Sequence, residues 1–410
     1  MMILICLAGI LIGAFCGLVP GMHINTLLPL MIFLGNSLKL SSYELCVLLV
    51  STAVTEIFVN FISSIFIGAP EEGTSLSVLP GHRLLLEGRG YEAIKLTVIG
   101  GVFGLILTLS LIFSISQAFK VLYKASRPFI HLVIVFFVIF MLASERNVRK
   151  ILAATLIFFL SGLLGLICLY SSINQQNILF PILTGFFGLP TLLISVSECV
   201  RIPPQDYKGE IKISKKEIIK SIFLGSISGL IVGFLPAIGI SEAATFVSLL
   251  SGLKDARNFL ITISGINIGN EVFSLMSLFL VGNPRSGVSV AIQRILGRIS
   301  LTETFLLIGA ICFSSGIAAL LTLFLGKKIP KYLERINYKL LCSLTIIFII
   351  LAIFLLTGPL GLLIVFTSTS IGLLCNYLKV KRSHCMGCLI LPSILFFSGL
   401  VQEAIIFLKI

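Results

Sequence analysis

Two carboxylic acids stand inside long apolar runs, Glu56 within residues 45–68 and Glu271 within residues 259–282. An acid at the centre of a membrane span costs roughly 2.5–3.5 kcal/mol on insertion scales, so its presence marks a functional site by default. Such a group is either protonated or paired with a cation, and the chemistry this offers is coupling to Na⁺ or H⁺. The structural use is different: each acid caps a neighbouring broken helix. His23, three residues past Pro20, is placed to bind a substrate or carry a proton near neutral pH. It equally suits a cap at the chain break. Arg285, in GNPRSGVS, offers a positive charge to an anionic solute.

These groups sit beside helix breakers, and the breaks carry more chemistry than any one side chain. Residues 1–38 contain no Lys, Arg, Asp or Glu, which is too long an uncharged stretch for one span of ~20 residues. Pro20-Gly21 divides it, since Pro removes a donor and Gly permits a turn. A broken helix or a re-entrant hairpin is expected. A helix that begins inside the membrane presents free N–H groups and a positive dipole end to an anion, while unwound carbonyls suit Na⁺. The candidate substrate-binding set is therefore Pro20, Gly21, His23, Asn25, Gly68, Pro70, Pro236, Gly239, Ser241, Asn267, Asn270, Gly282, Asn283, Pro284 and Arg285. Glu56 and Glu271 are the candidate ion-coupling pair. Asn60 is a further polar neighbour, and Glu242 carries less weight because Thr26 stands at its counterpart position.

The motifs occur twice. Gly9, Gly13, Gly17 and Pro20 match Gly225, Gly229, Gly233 and Pro236 at one constant offset. GAPEEGTS from Gly68 matches GNPRSGVS from Gly282, and Glu56 matches Glu271. This is an internal duplication, and paired breaker-interrupted segments are the sequence pointer to a midplane site in a secondary transporter. A first membrane repeat spans 1–200, a basic polar linker 201–220 and a second repeat 221–410. Glycines at every fourth position line one helix face and permit close backbone approach.

Composition sets the class. Hydrophobic residues make up 57% and charged residues 11%, against ~25% charged in a soluble domain. The expected fold is an all-α polytopic membrane protein with two homologous halves. The net charge of +13 lies in short connectors, as the positive-inside rule requires, so nucleic acid is not a partner. The connector 144–150 is basic where its half-two counterpart, 357–360, is neutral. The connector 171–177 is uncharged where its counterpart, 379–384, is basic. That exchange fits inverted repeats. Motif one of each half is then expected to approach motif two of the same half, with Pro20 near Pro236 across a pseudo-two-fold axis. The chain lacks a phosphate-binding loop, GxSxG and HExxH, so no enzyme and no cofactor is expected. The ten Cys read as core residues, and His384-Cys385-x-x-Cys388 as a coincidental CxxC.

GLVPG near the start, PGHRLLLEGRGYEAI from Pro80 and GFLPAIG in the second half resemble motifs of the large membrane subunit of tripartite tricarboxylate transporters. Gly81, Gly88, Arg89, Glu92 and Ala93 match the most specific of these segments. Asn267 or Asn270 fits an Asn-rich stretch, and Gly282 with Pro284 fits the motif after it. Pro80 stands where that family has Asp, while Glu71, Ala237 and Arg285 replace Gly. The resemblance implies a cell-membrane, multi-pass carrier of a carboxylate-type anion, working with a small membrane subunit and an extracytoplasmic binding protein. Carriers of polyprenyl-phosphate lipids also have a Pro-Gly break near their start, so a lipid phosphate is the alternative cargo. An intramembrane lipid-modifying enzyme using Glu56, Glu271 and His23 is a more distant reading.

Overall fold

In the computed structural model, the structure describes residues 1–19, 22–67, 78–126, 129–145, 147–170, 178–197, 205–206, 210–234, 240, 243–244, 247, 255–333 and 338–408. The fold is all-α, with no strand among the described residues. It is built on a helix pair that the sequence dictates through its glycines. In α1 (Met2–Leu18), Gly9, Gly13 and Gly17 face α3 (Ser42–Ile67). A Cβ at Gly9 would meet the Leu48 carbonyl and Ser51, at Gly13 the Thr52 carbonyl and Thr55, and at Gly17 the Glu56 carbonyl and Val59. No side chain larger than hydrogen fits between these backbones. Between α1 and α3 lie α2 (Ile24–Ser37) and its two flanking turns.

The second half rebuilds the pair. In α10 (Lys215–Phe234), Gly225, Gly229 and Gly233 pack on α11 (Ala256–Val281), against Thr262 and Gly265, Gly269 and Ile266, and Phe273 and Asn270. Every contact on α3 has its counterpart on α11 at one fixed offset, so the duplication read from sequence is present in the packing.

The remaining long helices pack crosswise. After α4 (Val78–Leu86), helix α5 (Gly90–Ser126) of half one lies on α11 of half two, with Gly100 against the Ile261 carbonyl and Gly104 against Gly265. Helix α13 (Leu301–Leu333) of half two lies on α3 of half one, where Cys6 Sγ of α1 reaches both Ser51 Oγ (2.9 Å) and Ser314 Oγ (3.7 Å). Outside this core, α6 (Ile130–Ala143) leads into α7 (Val148–Leu169), α8 (Leu179–Leu183), a π turn over Thr184–Gly188, and α9 (Leu189–Ser197). They pack on α14 (Tyr338–Tyr377) and α15 (Gly387–Ser398), again across the halves. Helix α14 is interrupted at Gly358, whose φ of 67° leaves the helical region ahead of Pro359, where the sequence places its neutral turn. The short α12 (Gly287–Leu296) and α16 (Val401–Leu408) complete the set.

Among the described residues, six helices are long and apolar enough to cross a membrane, and their outward faces carry large apolar side chains. Leu351, Leu355, Leu363 and Phe366 on α14 are examples, 54%, 73%, 63% and 55% exposed. A water-soluble protein rarely shows so much contiguous apolar surface, whereas lipid accepts it.

The segment that most resembles a known family turns out to hold the linker. Gly88 adopts a φ of 73° in the α4–α5 turn, which lets Arg89 and Glu92 face the same way. Buried Glu92 pairs with Arg89 Nη2 at 2.6 Å and Arg257 Nε at 2.9 Å, and accepts the Lys212 N–H at 3.2 Å. Gln205 and Asp206 of the linker bond the same turn, at Leu85 O, Gly90 N–H and Gly88 O. Removing one partner of such a buried cluster costs about 3–5 kcal/mol, so these residues serve the fold.

Candidate functional site: two helix starts from opposite halves

Helix α2 begins inside the protein, four residues after Pro20. His23 is its N-cap, accepting the Asn25 N–H on Nδ1 at 3.0 Å. Glu56, 2% exposed on α3, accepts the Ile24 N–H on Oε2 at 2.8 Å, and its Oε1 lies 3.7 Å from His23 Nε2. Two of the N–H groups that any helix start leaves open are thus held by a carboxylate and an imidazole. The positive end of the helix dipole sits against the acid.

Helix α12 begins the same way on the other side. Helix α11 ends at Gly282, whose φ of 68° reverses the chain into Asn283-Pro284-Arg285. Ser286 caps α12 in a reciprocal arrangement with Ser289. The turn is fixed by hydroxyls from α11: Ser274 Oγ accepts the Arg285 N–H at 2.9 Å and also the Ser286 N–H, and Ser277 Oγ donates to the Asn283 carbonyl at 2.7 Å. Glu271 Oε1 accepts from Ser286 Oγ at 3.2 Å. Glu271 forms no ion pair with any described residue.

The two starts meet. A Cβ on Gly287 would fall onto the Asn25 carboxamide, so the bare first residue of α12 is what leaves this side chain of α2 its place. His23, Asn25, Glu56, Glu271, Asn283, Pro284 and Arg285 therefore gather around one junction between the halves. The expected approach of motif one to GAPEEGTS of its own half falls on residues 68–75, outside the described residues. Among the described residues, motif one of half one meets motif two of half two. The crosswise packing is the reason, because each half's long helices lean on the other's. Pro20, Gly21, Gly68, Pro70, Pro236, Gly239 and Ser241 lie outside the described residues. Asn267 donates to Ile263 O one turn back in its own helix at 2.9 Å, and Asn270 lies beside the α10 seam, its carbonyl over Gly233.

The glycine seams also correct the pairing of the acids. Gly17 packs on the Glu56 carbonyl and Gly233 on the Asn270 carbonyl, as Gly13 and Gly229 do on Thr52 and Ile266. By this register Asn270, not Glu271, is the counterpart of Glu56. Glu271 is one residue further on, turned by about 100° around a helix of 3.6 residues per turn. The acids face different helix starts. Sequence reasoning also passed over Ser63, Ser274 and Ser286. Ser63 Oγ donates to the Gly17 and Leu18 carbonyls, 2.6 and 3.0 Å, at the end of α1. Their signal was their spacing, since Ser63 and Ser277 occupy matching places in the repeat.

The His384-Cys385-x-x-Cys388 segment lies elsewhere, at the α14–α15 corner. His384 Nε2 is 3.1 Å from Glu145 Oε1, which also accepts the Lys381 N–H at 3.0 Å. Burial works against the Glu145 charge, but the Lys381 N–H, His384 and the Lys381 charge outweigh it and hold this carboxyl below its usual range. No group of three or more metal-ligating side chains occurs among the described residues.

A multi-pass helical membrane protein with duplicated, interrupted helices meeting at an internal junction has the build of a transporter component. Residues 3–387 match the model of the tripartite tricarboxylate transporter TctA family, and the chain belongs to that family. A Methanocaldococcus jannaschii protein described only as uncharacterized is 31% identical over 405 residues, covering 95% of this chain and 97% of its own. No solved structure matches.

Proposed function

We propose that this protein is the cell-membrane subunit that carries a small carboxylate-type anion, driven by a cation gradient. The observation that carries the reading is the junction of α2 and α12, where two helix starts from opposite halves converge beside Asn25, His23 and Arg285. Two positive dipole ends and a guanidinium favour an anion there, and Glu271 supplies the site for Na⁺ or H⁺. Repeats 1–200 and 221–410, joined by the basic linker 201–220, would rock against each other around that point. A small membrane subunit and an extracytoplasmic binding protein complete the system by analogy with the family's tripartite make-up. A lipid phosphate is the second reading, favoured by the same helix-end chemistry.

Reconstitution in liposomes tests the proposal. With the partner subunits supplied, the protein should take up a di- or tricarboxylate against its gradient when a pH or Na⁺ gradient is imposed. Absence of flux for every carboxylate, with transfer of a polyprenyl phosphate between leaflets, would replace the carboxylate by the lipid.

The halves are proposed to be inverted, on the strength of the exchanged connector charges. Single cysteines introduced within 144–150 and 357–360 should then react with an impermeant maleimide from opposite sides of the membrane. Reaction of both from one side would rule inversion out.

A further inference from the structure

The CxxC of the α14–α15 corner draws attention to the wrong pair of sulfurs. Cys375, in the last turns of α14, and Cys385, in the 3-10 turn Arg382–Met386, have their Sγ atoms 3.3 Å apart, and both side chains are fully buried. Ten residues separate them in sequence. The chain closes that loop by ending α14 with Val380 N–H on the Cys375 carbonyl (3.0 Å) and Lys379 in the left-handed region at φ 54°. A disulfide needs sulfurs ~2.05 Å apart, so closure asks for a shift of about 1 Å.

The surroundings equip this pair for thiol chemistry. Arg382 acts electrostatically on both sulfurs, and its guanidinium is fixed by Asn376 Oδ1 at 3.4 Å and the Phe187 carbonyl at 3.2 Å. Thiolate is the form that attacks a disulfide. Cys388, also buried, lies close enough to Cys385 to give the pair a third thiol for exchange. The corner is pinned from the far side by Glu145, through His384 and Lys381, and by Lys381 Nζ on Ser144 Oγ at 2.9 Å.

We propose that Cys375 and Cys385 are a reversible dithiol–disulfide site. The oxidant is a low-molecular-weight disulfide. The thiolate of one cysteine attacks it, forming a mixed disulfide and releasing one thiol. The second thiolate then displaces the other half, so the protein gives up two protons and two electrons and two small thiols leave. Closure ties the end of α14 to the turn that contacts Glu145 of half one and Phe187 of the π turn. Two contacts between the halves thus depend on the thiol state.

Purified protein in detergent, treated with oxidised glutathione, then unfolded in denaturant and alkylated, tests this. The expected product takes up two fewer N-ethylmaleimide groups than the reduced protein, and peptide mapping joins Cys375 to Cys385. Dithiothreitol should restore both adducts. Cys388→Ser should keep the crosslink, and Cys375→Ser should lose it. A small free thiol added to the same solution serves as the control, since it reports that the oxidant is present and active. The proposal is overturned if that thiol is oxidised while Cys375 and Cys385 stay reduced. It is equally overturned if the crosslink joins Cys385 to Cys388 and survives Cys375→Ser.

Discussion

Glu271→Gln is expected to leave the protein folded and remove the dependence of uptake on the cation gradient, while Glu56→Gln is expected to keep that dependence and lose stability. The difference follows from what each acid touches. Glu56 receives an N–H from the start of α2 and lies beside His23, so its charge is already used in holding a helix end. A hydrogen bond to a charged group contributes about 1.5–3 kcal/mol and a neutral one about 1, so Gln at position 56 keeps the bond and loses part of its strength. The expected cost is ~1 kcal/mol, read as a lower unfolding temperature in detergent. Glu271 has one hydroxyl donor, Ser286, and no ion pair among the described residues. A carboxylate buried in a span without a protein cation needs a proton or a bound cation, and a carrier can use that requirement to couple flux. Gln at position 271 accepts the same Ser286 bond without binding either. Uptake should then follow the solute gradient alone, with an imposed pH or Na⁺ gradient changing the initial rate less than twofold. Gradient-driven accumulation by Glu271→Gln equal to that of the unmodified protein would end the assignment.

Gly13→Ala is expected to cripple folding, and Gly309→Ala to do nothing or help. Both are single methyl additions in transmembrane helices. At Gly13 the new carbon would land on the Thr52 carbonyl, with Thr55 Cβ 2.9 Å away, and neither backbone can yield without parting α1 from α3. At Gly309 nothing lies within 4 Å, so the methyl enters open space and gains up to ~1 kcal/mol of helix propensity. Overpacking typically costs ~1–3 kcal/mol, and more where the obstacle is main chain. Gly229→Ala in half two should behave like Gly13→Ala, since its Cβ would sit 2.9 Å from the Gly269 Cα. The yield of monodisperse protein and the unfolding temperature report the effect. Equal temperatures for Gly13→Ala and Gly309→Ala would show that the seam is not close-packed.

Much of this was readable before any coordinates. The all-α membrane fold follows from apolar runs, and the duplication from glycines at four-residue intervals, because both depend on local chemistry. The break before α2 follows from Pro20-Gly21, and the one before α12 from Gly282 and Pro284. What the sequence withheld is relational. Glu56 and Glu271 looked equivalent because their offset lies between those of the two motif pairs. Only the carbonyls under Gly17 and Gly233 reveal that one acid has slipped by a residue, and one residue on a helix is a change of face. The same holds for Asn25 and Gly287. Nothing in either local sequence announces that they touch, since the contact is made by packing across halves. Ser274 escaped notice because a serine in a membrane helix usually bonds its own previous turn.

The crosswise arrangement of α5 on α11 and α13 on α3 has a consequence for how the protein is made. Chains emerge from the ribosome at ~5–20 residues per second, and Leu301, the start of α13, follows Ile67, the end of α3, by more than two hundred residues. For on the order of ten seconds or longer, the first half stands in the bilayer with the flank of its central helix covered only by lipid. Cys6, whose sulfur reaches Ser314 in the finished protein, waits for a helix not yet synthesised. The first half is thus an unfinished surface, and the last third of the polypeptide closes it.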